Sequence, residues 1–225
     1  MMYQIAIDGP SGAGKSSLAK AVAARLGIVY VDTGALYRTI GYYAVQQGID
    51  PKDACGVEAL LSQIHIELKF ENGTQYVYLN GENLGDKIRR PEISMAASAV
   101  SAIPAVRSFL LDTQKSIAQT HSVIMDGRDI GTVILPNADV KIFLFASDEA
   151  RALRRTKELE ATGISADYED VLREMRERDA QDRNRDIAPA IPAPDAIPFD
   201  NSDLTVEESI EKLLEIIREQ VPNAD

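Results

Sequence analysis

The stretch Gly9-Pro10-Ser11-Gly12-Ala13-Gly14-Lys15-Ser16 carries the spacing G-x-x-x-x-G-K-[ST], the arrangement that the phosphates of a nucleoside triphosphate require. Its glycines permit backbone angles that turn successive N–H groups inward onto phosphate oxygens, and a helix beginning at Lys15 aims its positive dipole end at the same charge. Lys15 then reaches the β- and γ-phosphates, and Ser16 offers a hydroxyl to Mg2+. Gly9, Pro10, Ser11, Gly12, Ala13, Gly14, Lys15, Ser16 and Ser17 are the expected ATP-binding residues. A plain glycine-rich turn is the alternative, but all four fixed positions match between a strand and a helical run.

A second group of polar residues is dispersed along the chain. Asp32-Thr33-Gly34-Ala35-Leu36-Tyr37-Arg38 closes an apolar strand and opens a helix, where a hydroxyl, free N–H groups and an arginine can meet an anion or merely cap the helix. Met125-Asp126-Gly127-Arg128-Asp129-Ile130-Gly131-Thr132 closes another strand. There Asp126 stands where a carboxylate approaches phosphate-bound Mg2+, while Arg128 and Asp129 project from a glycine-flanked turn toward a ligand or into a loop salt bridge. Arg178, Asp182 and Arg185 fall at i, i+4 and i+7 in a segment, Arg176 to Asp186, almost without apolar residues. A helix lacking an apolar face needs another partner. Internal ion pairs would supply a few tenths of a kcal/mol each; alternatively the row is one wall of a polar site, with Asp182 reading a donor and the arginines a charge. Arg151, Arg154 and Arg155 precede the glycine-containing loop Ala161 to Asp167, so two joined helices are placed to act as a lid that excludes water.

The elements that position these groups follow from hydrophobic periodicity. Strands are expected at Ile5 to Asp8, Ile28 to Asp32, Val123 to Asp126, Lys141 to Ala146 and Ala196 to Asp200. Helices are expected at about 15 to 26, 34 to 47, 92 to 120 with a break near Pro104, 148 to 160, 168 to 186 and 205 to 220. This alternation predicts an α/β domain with a mostly parallel sheet covered on both faces. Asp8, Asp32 and Asp126 end three core strands, and ligands in open α/β sheets gather at the carboxyl ends of strands, so all three are expected to face the site. Ile64 to Phe70 alternates strictly, Asn72-Gly73 suits a tight hairpin, Gln75 to Leu79 returns, and Asn80-Gly81 turns again toward Glu82. This small antiparallel insert is either an edge decoration or a flap over a second substrate. Ala188 to Pro194 is a proline-rich connector.

The chain has 225 residues, 45% of them hydrophobic, and can bury a sizeable core as one domain. A net charge of −11 argues against broad binding to nucleic acid or an anionic membrane. No apolar run approaches the roughly 18 residues of a membrane span, and the N-terminus opens directly into a strand. The lone Cys55 and the isolated His65 and His121 suggest neither disulfide nor metal centre. A cytoplasmic protein is expected.

The conjunction of Ile7 to Ser16, Asp32 to Arg38, Asp126 to Thr132 and Arg178 to Arg185, in that order, resembles the bacterial cytidylate kinases over essentially the whole chain. The resemblance implies a P-loop NTPase fold: an adenylate-kinase-like core with a five-stranded parallel sheet flanked by helices, a small antiparallel β insert and a helical lid. Within the single domain, residues 34–104 would form the monophosphate-binding region, with the β insert at about 64–84, and residues 151–168 the lid. It further implies that Ser11, Thr33, Tyr37, Arg38, Arg107, Arg128, Asp129, Arg178, Asp182 and Arg185 surround CMP, and that Lys15, Arg128, Arg154 and Arg178 carry the transfer. Mg2+ would sit on Ser16, with Asp32 and Asp126 reaching it through water. Expected partners are ATP and CMP or dCMP alone, with no nucleic acid and no membrane, bound by a monomer. Rivals are a P-loop kinase acting on UMP, AMP or a phosphate-free acceptor, and a nucleotide switch. The several arginines favour an acceptor that bears phosphate, and the guanine-reading N-K-x-D pattern is absent.

Overall fold

Five apolar stretches build a parallel sheet in the computed structural model, which describes residues 2–71 and 74–222. They are β1 (Gln4–Asp8), β2 (Val29–Asp32), β6 (Val123–Gly127), β7 (Val140–Phe145) and β8 (Ile197–Asp200), in the spatial order β2-β6-β1-β7-β8. Burial on both faces explains their near-continuous apolar character. In β1, Ile5 and Ile7 pack with α1 (Lys15–Leu26) and α8 (Val206–Gln220), while Ala6 faces the opposite layer with Val31, Met125 and Ile130. The two-residue side-chain period of a strand thus serves two cores at once. Register places Asp32 beside Asp126 and Asp8 beside Gly127 at one edge of the sheet, so the loops leaving β1, β2 and β6 converge there.

The chain between β2 and β6 forms a second body. Helices α2 (Thr33–Gln46), α3 (Ala54–Leu61), α4 (Pro91–Val100) and α5 (Pro104–Ala118) surround a shared core with the insert strands β3 (Ile66–Glu71), β4 (Thr74–Leu79) and β5 (Glu82–Asn83). Proline opens both α4 and α5, where its missing N–H costs nothing, and this accounts for the expected break. The insert is antiparallel. Asn80 and Gly81 both take positive φ, 50° and 85°, which is the hairpin turn that their side chains predict. The Asn72-Gly73 turn lies outside the described residues. Val77, Leu79, Leu84 and Ile88 bury themselves against α2 and α4, so the insert is packed onto this body along one face.

Helices α6 (Asp148–Ala161) and α7 (Tyr168–Asn184) form a hairpin with its own small cluster of Ala152, Val171, Leu172 and Met175. Among the described residues, no single helix is long and apolar enough to cross a membrane. Three local features depart from expectation. Helix α3, capped by the Asp53 carboxylate on the Gly56 N–H, was not expected, being only eight residues long. The turn after β6 is a single π-helical turn, Ile130–Ile134. Helix α7 stops at Asn184, and Arg185 is already extended, with φ −70° and ψ 144°, so Arg185 does not continue the helical face of Arg178 and Asp182.

Gly9 is the tightest point where β1 enters the phosphate loop. Its φ is +150°, and a Cβ there would lie 1.9 Å from the main-chain oxygen of Leu144 in β7. Neither strand can yield without breaking the sheet. Gly9→Ala is therefore expected to destabilise the protein by roughly 3 kcal/mol, read as a lowered urea midpoint; an unchanged midpoint would show that the strands slide apart freely.

Candidate functional site

The loop Gly9 to Gly14 ends on Gly14 in the left-handed region (φ 87°), and α1 starts at Lys15 with no acidic residue in its first turn and no side-chain cap. Its leading N–H groups are thus left for an anion. The Lys15 ammonium closes the loop by donating to the Pro10 carbonyl at 2.7 Å, and Asn201 donates to the Ala13 carbonyl at 3.0 Å. Burial, reinforced by the nearby Arg128 cation, lowers Lys15 to about 7. The carboxylates of Asp126 and Asp179 act in the other direction but are outweighed.

At the strand ends, the Ser16 hydroxyl donates to Asp126 at 2.7 Å, and the Tyr30 hydroxyl donates to the other carboxylate oxygen at 3.0 Å. Ser16, rather than Ser17, reaches this carboxylate. Burial and the neighbouring Asp32 charge raise Asp126 to about 6, the condition that a divalent cation relieves. Asp32 accepts from the Ala35 N–H at 2.9 Å and from Arg38 at 2.7 Å. Among the described residues, no cluster of three or more His, Cys, Asp or Glu side chains is set to hold a metal. One hydroxyl and nearby carboxylates suit Mg2+, which keeps several waters and takes other ligands from substrate phosphates; the residues present fit it.

A second group of charged and polar side chains gathers beside the phosphate loop from α2, α4, α5, the turn after β6, and α7 with the segment that follows it. The Arg178 head donates to the Ser11 hydroxyl at 3.1 Å, and burial together with Arg128 lowers it to about 10. The Asp182 carboxylate accepts from Arg128 at 3.0 Å and from Ser98 at 2.7 Å. Burial would raise Asp182, but the Arg128 and Arg178 charges outweigh it and hold the carboxyl below its ordinary value. Asp129 is paired with Arg107 and lies 3.6 Å from Arg185; the Arg107 guanidinium stands 5.6 Å over the Tyr37 ring, a cation–π contact. Arg185 donates to the Ser101 hydroxyl at 2.8 Å and to the Ala188 carbonyl at 2.6 Å. A cleft of about 340 Å³ opens here between Lys52, Ser98, Ile103, Gln181 and Arg185.

Three guanidinium nitrogens in this region are buried without a hydrogen bond: Nε of Arg38, Nε of Arg178 and Nη2 of Arg185, the last with only its 3.6 Å approach to Asp129. Buried donors are normally satisfied, so these atoms mark where an anionic, hydrogen-bond-accepting ligand belongs.

Thr33 spends its hydroxyl on the Asp126 carbonyl at 2.7 Å and is buried, joining the β2 and β6 ends. Arg154 is not gathered with Lys15 and Arg178. It donates to the main-chain carbonyls of Asn201, at 2.6 Å, and Ser202, at 3.3 Å. Arg155 pairs with Glu158 on the exposed side of α6. Ser98, Ser101, Asp179 and Asn201 were missed from the sequence, and Arg151 was placed on the lid helix without its contact to Ser11. The two serines sit among alanines of α4 and at its end, with nothing to mark them except their three-residue spacing.

Asp8 corrects an expectation. Its carboxylate is taken up by the Ile130 and Gly131 N–H groups, from which it accepts at 2.7 and 2.8 Å, fixing the turn that carries Asp129. Burial raises it from 3.8 to about 6, against the two N–H groups. Between those values the folded chain binds more protons than the unfolded one, so the stability from this group is complete below about pH 3.8 and is lost as pH rises through about 6. The stability difference between wild type and Asp8→Asn should fall by about 1 kcal/mol from about pH 5 to about pH 7.5 in urea unfolding; a flat difference would show that Asp8 stays ionised throughout.

A family model described as cytidylate kinase matches residues 5–219. A cytidylate kinase of Fervidobacterium nodosum is 49% identical over 220 residues, covering 98% of this chain and 98% of that protein. One of Caldicellulosiruptor bescii is 46% identical over 219 residues, covering 97% of each. Among solved structures, an unliganded sugar kinase of Janibacter sp. HTCC2649 shares the fold with a TM-score of 0.50 at 17% identity, over 100% of this chain and 98% of that one.

Proposed function

We propose that this chain, which belongs to the cytidylate kinase family, moves the γ-phosphoryl group of ATP onto CMP or dCMP, giving ADP and CDP or dCDP. The family phosphorylates CMP with ATP, and the observation that supports this acceptor best is the trio of buried guanidinium nitrogens without a hydrogen bond on Arg38, Arg178 and Arg185. Arg178 and Arg185 act on Asp182, Arg38 acts on Arg178, and Arg178 is one hydrogen bond from the donor loop through Ser11. An acceptor without phosphate would leave them unsatisfied. A switch protein would have no use for them.

In this reading the loop N–H groups and Lys15 hold the ATP phosphates, Arg38 and Arg128 hold the acceptor phosphate, and Arg178, between the two, absorbs charge on the moving phosphoryl group. Asp129, Asp182, Arg107 and Arg185 orient the nucleoside beside Tyr37, with Ser98 and Ser101 as supports. The acceptor oxygen is already anionic, so the work is alignment and charge neutralisation rather than proton removal. Ser16, with Asp126 and Asp32 through water, would hold Mg2+, which neutralises charge on the β- and γ-phosphates when bound. Residues 34–104 serve as the monophosphate-binding region and 151–168 as the lid. Arg154 reaches the transferring group only by leaving the Asn201 and Ser202 carbonyls. The protein acts as a monomer in the cytoplasm on free nucleotides.

ADP release measured across CMP, dCMP, UMP and AMP tests the assignment. CMP or dCMP should give the highest kcat/KM; a clear preference for UMP or AMP overturns it. Arg185→Met should lower kcat/KM for CMP by about 10- to 100-fold, the worth of a buried charged hydrogen bond, while the ATP KM stays within about twofold. Unchanged CMP kinetics would remove Arg185 from the site.

A further inference from the structure

Ser11, at the tip of the phosphate loop, has all its polar groups held by the α6–α7 hairpin. Its N–H donates to Asp179 at 3.0 Å, its carbonyl accepts from Arg151 at 2.6 Å, and its hydroxyl accepts from Arg178 at 3.1 Å. Arg151 also pairs with the other oxygen of Asp179 and with Asp148, both at 2.5 Å, and donates to the Ala146 carbonyl at 3.2 Å. Arg151 is 3% exposed and Asp179 9%. The Met175 methyl lies 2.6 Å from where a Cβ on Gly12 would stand, so the hairpin also touches the next loop residue.

A glycine-rich loop has many conformations open to it. Gripping one residue at both its N–H and its carbonyl fixes its position and the rotation of both flanking peptide planes, which is the ordering a phosphate would otherwise impose on binding. Buried charges are justified here by the pairing and hydrogen bonds that surround them.

We propose that Arg151 and Asp179 are positioning residues that latch the phosphate loop, through Ser11, to the α6–α7 hairpin, so that the hairpin sets the ATP-binding form of the loop. This rests on the reading of that loop as the ATP site, not on which nucleotide accepts. When the hairpin shifts, Ser11 shifts with it, and the N–H groups after Ser11 lose or regain their aim at the phosphates.

The test is ATP affinity by calorimetry, which does not depend on acceptor turnover. Asp179→Asn keeps an oxygen for the Ser11 N–H but sets amide hydrogens against those of Arg151. The double variant Arg151→Met with Asp179→Leu removes both charges together, which spares the fold an unpaired buried ion, yet leaves the Ser11 N–H and carbonyl unheld, with only the Arg178 bond to its hydroxyl. Each is expected to raise the ATP Kd by about tenfold or more, with CMP Kd within about twofold and a thermal midpoint near that of wild type in the double variant. Arg151→Lys, which can serve the Ser11 carbonyl or Asp179 but not both, should fall between. A folded double variant with wild-type ATP affinity overturns the latch, as does an equal loss for ATP and CMP. In the wild-type protein, a Ser11 amide that exchanges with solvent as fast as an open loop overturns it without any variant. Wild-type protein that binds ATP but does not turn over CMP would sink the acceptor assignment and leave the latch standing.

Discussion

Lys15→Met is expected to lower kcat by about 10²- to 10³-fold or more without destabilising the ligand-free protein. Lys15 is 6% exposed, and its ammonium donates to the Pro10 carbonyl. Burial and the Arg128 charge bring it down to about 7, against Asp126 and Asp179, so the ligand-free fold carries this cation at a cost that bound phosphate relieves. Methionine keeps the aliphatic stem and removes that cost. The ligand-free thermal midpoint should stay level or rise, while the increase that saturating ATP gives the wild type, RT ln(1 + [ATP]/Kd) in free energy, should shrink toward zero. A variant that keeps a near-wild-type rate would refute the role of the loop. Higher stability with lost activity is the expected trade at a site built for charge.

Arg178→Met should produce the second large loss, again about 10²- to 10³-fold in kcat, with both KM values changed by only a few-fold. Its guanidinium is bonded to Ser11 of the donor loop and lies close enough to Arg128 to be lowered to about 10 along with the effect of burial. Two arginines held against their mutual repulsion are stabilised most when the most negative charge lies between them, which is during transfer. The split is the informative part of the measurement. Loss confined to the CMP KM would make Arg178 a ground-state phosphate clamp instead.

Much of the donor side was legible because its parts are contiguous. Backbone N–H groups of successive residues, one lysine and one hydroxyl need only a strand before them and a helix after, and β1 and α1 stand within a residue of where periodicity puts them. The acceptor side was legible in part. The i, i+4 spacing brought Arg178 and Asp182 to one face of α7, and both are in the site. Arg185 reaches it by a different route, since α7 ends at Asn184 and the extended chain turns its guanidinium toward Ser101 and Asp129. Asp179, one residue beyond Arg178, was passed over because its partners, Ser11 and Arg151, are 168 and 28 positions away. Asp8 looked like a site residue from its place at a strand end, yet the neighbouring turn offered it two N–H groups.

What the sequence by itself determined is the part governed by local geometry: the phosphate loop, the strand and helix rhythm that yields the parallel sheet, and the motif order that marks the family. Only the tertiary structure decided which charges pair and which stay unpartnered. That outcome depends on burial and on groups far apart in the chain. Electrostatic energy inside a protein follows distance and desolvation, and neither can be read from spacing along the backbone.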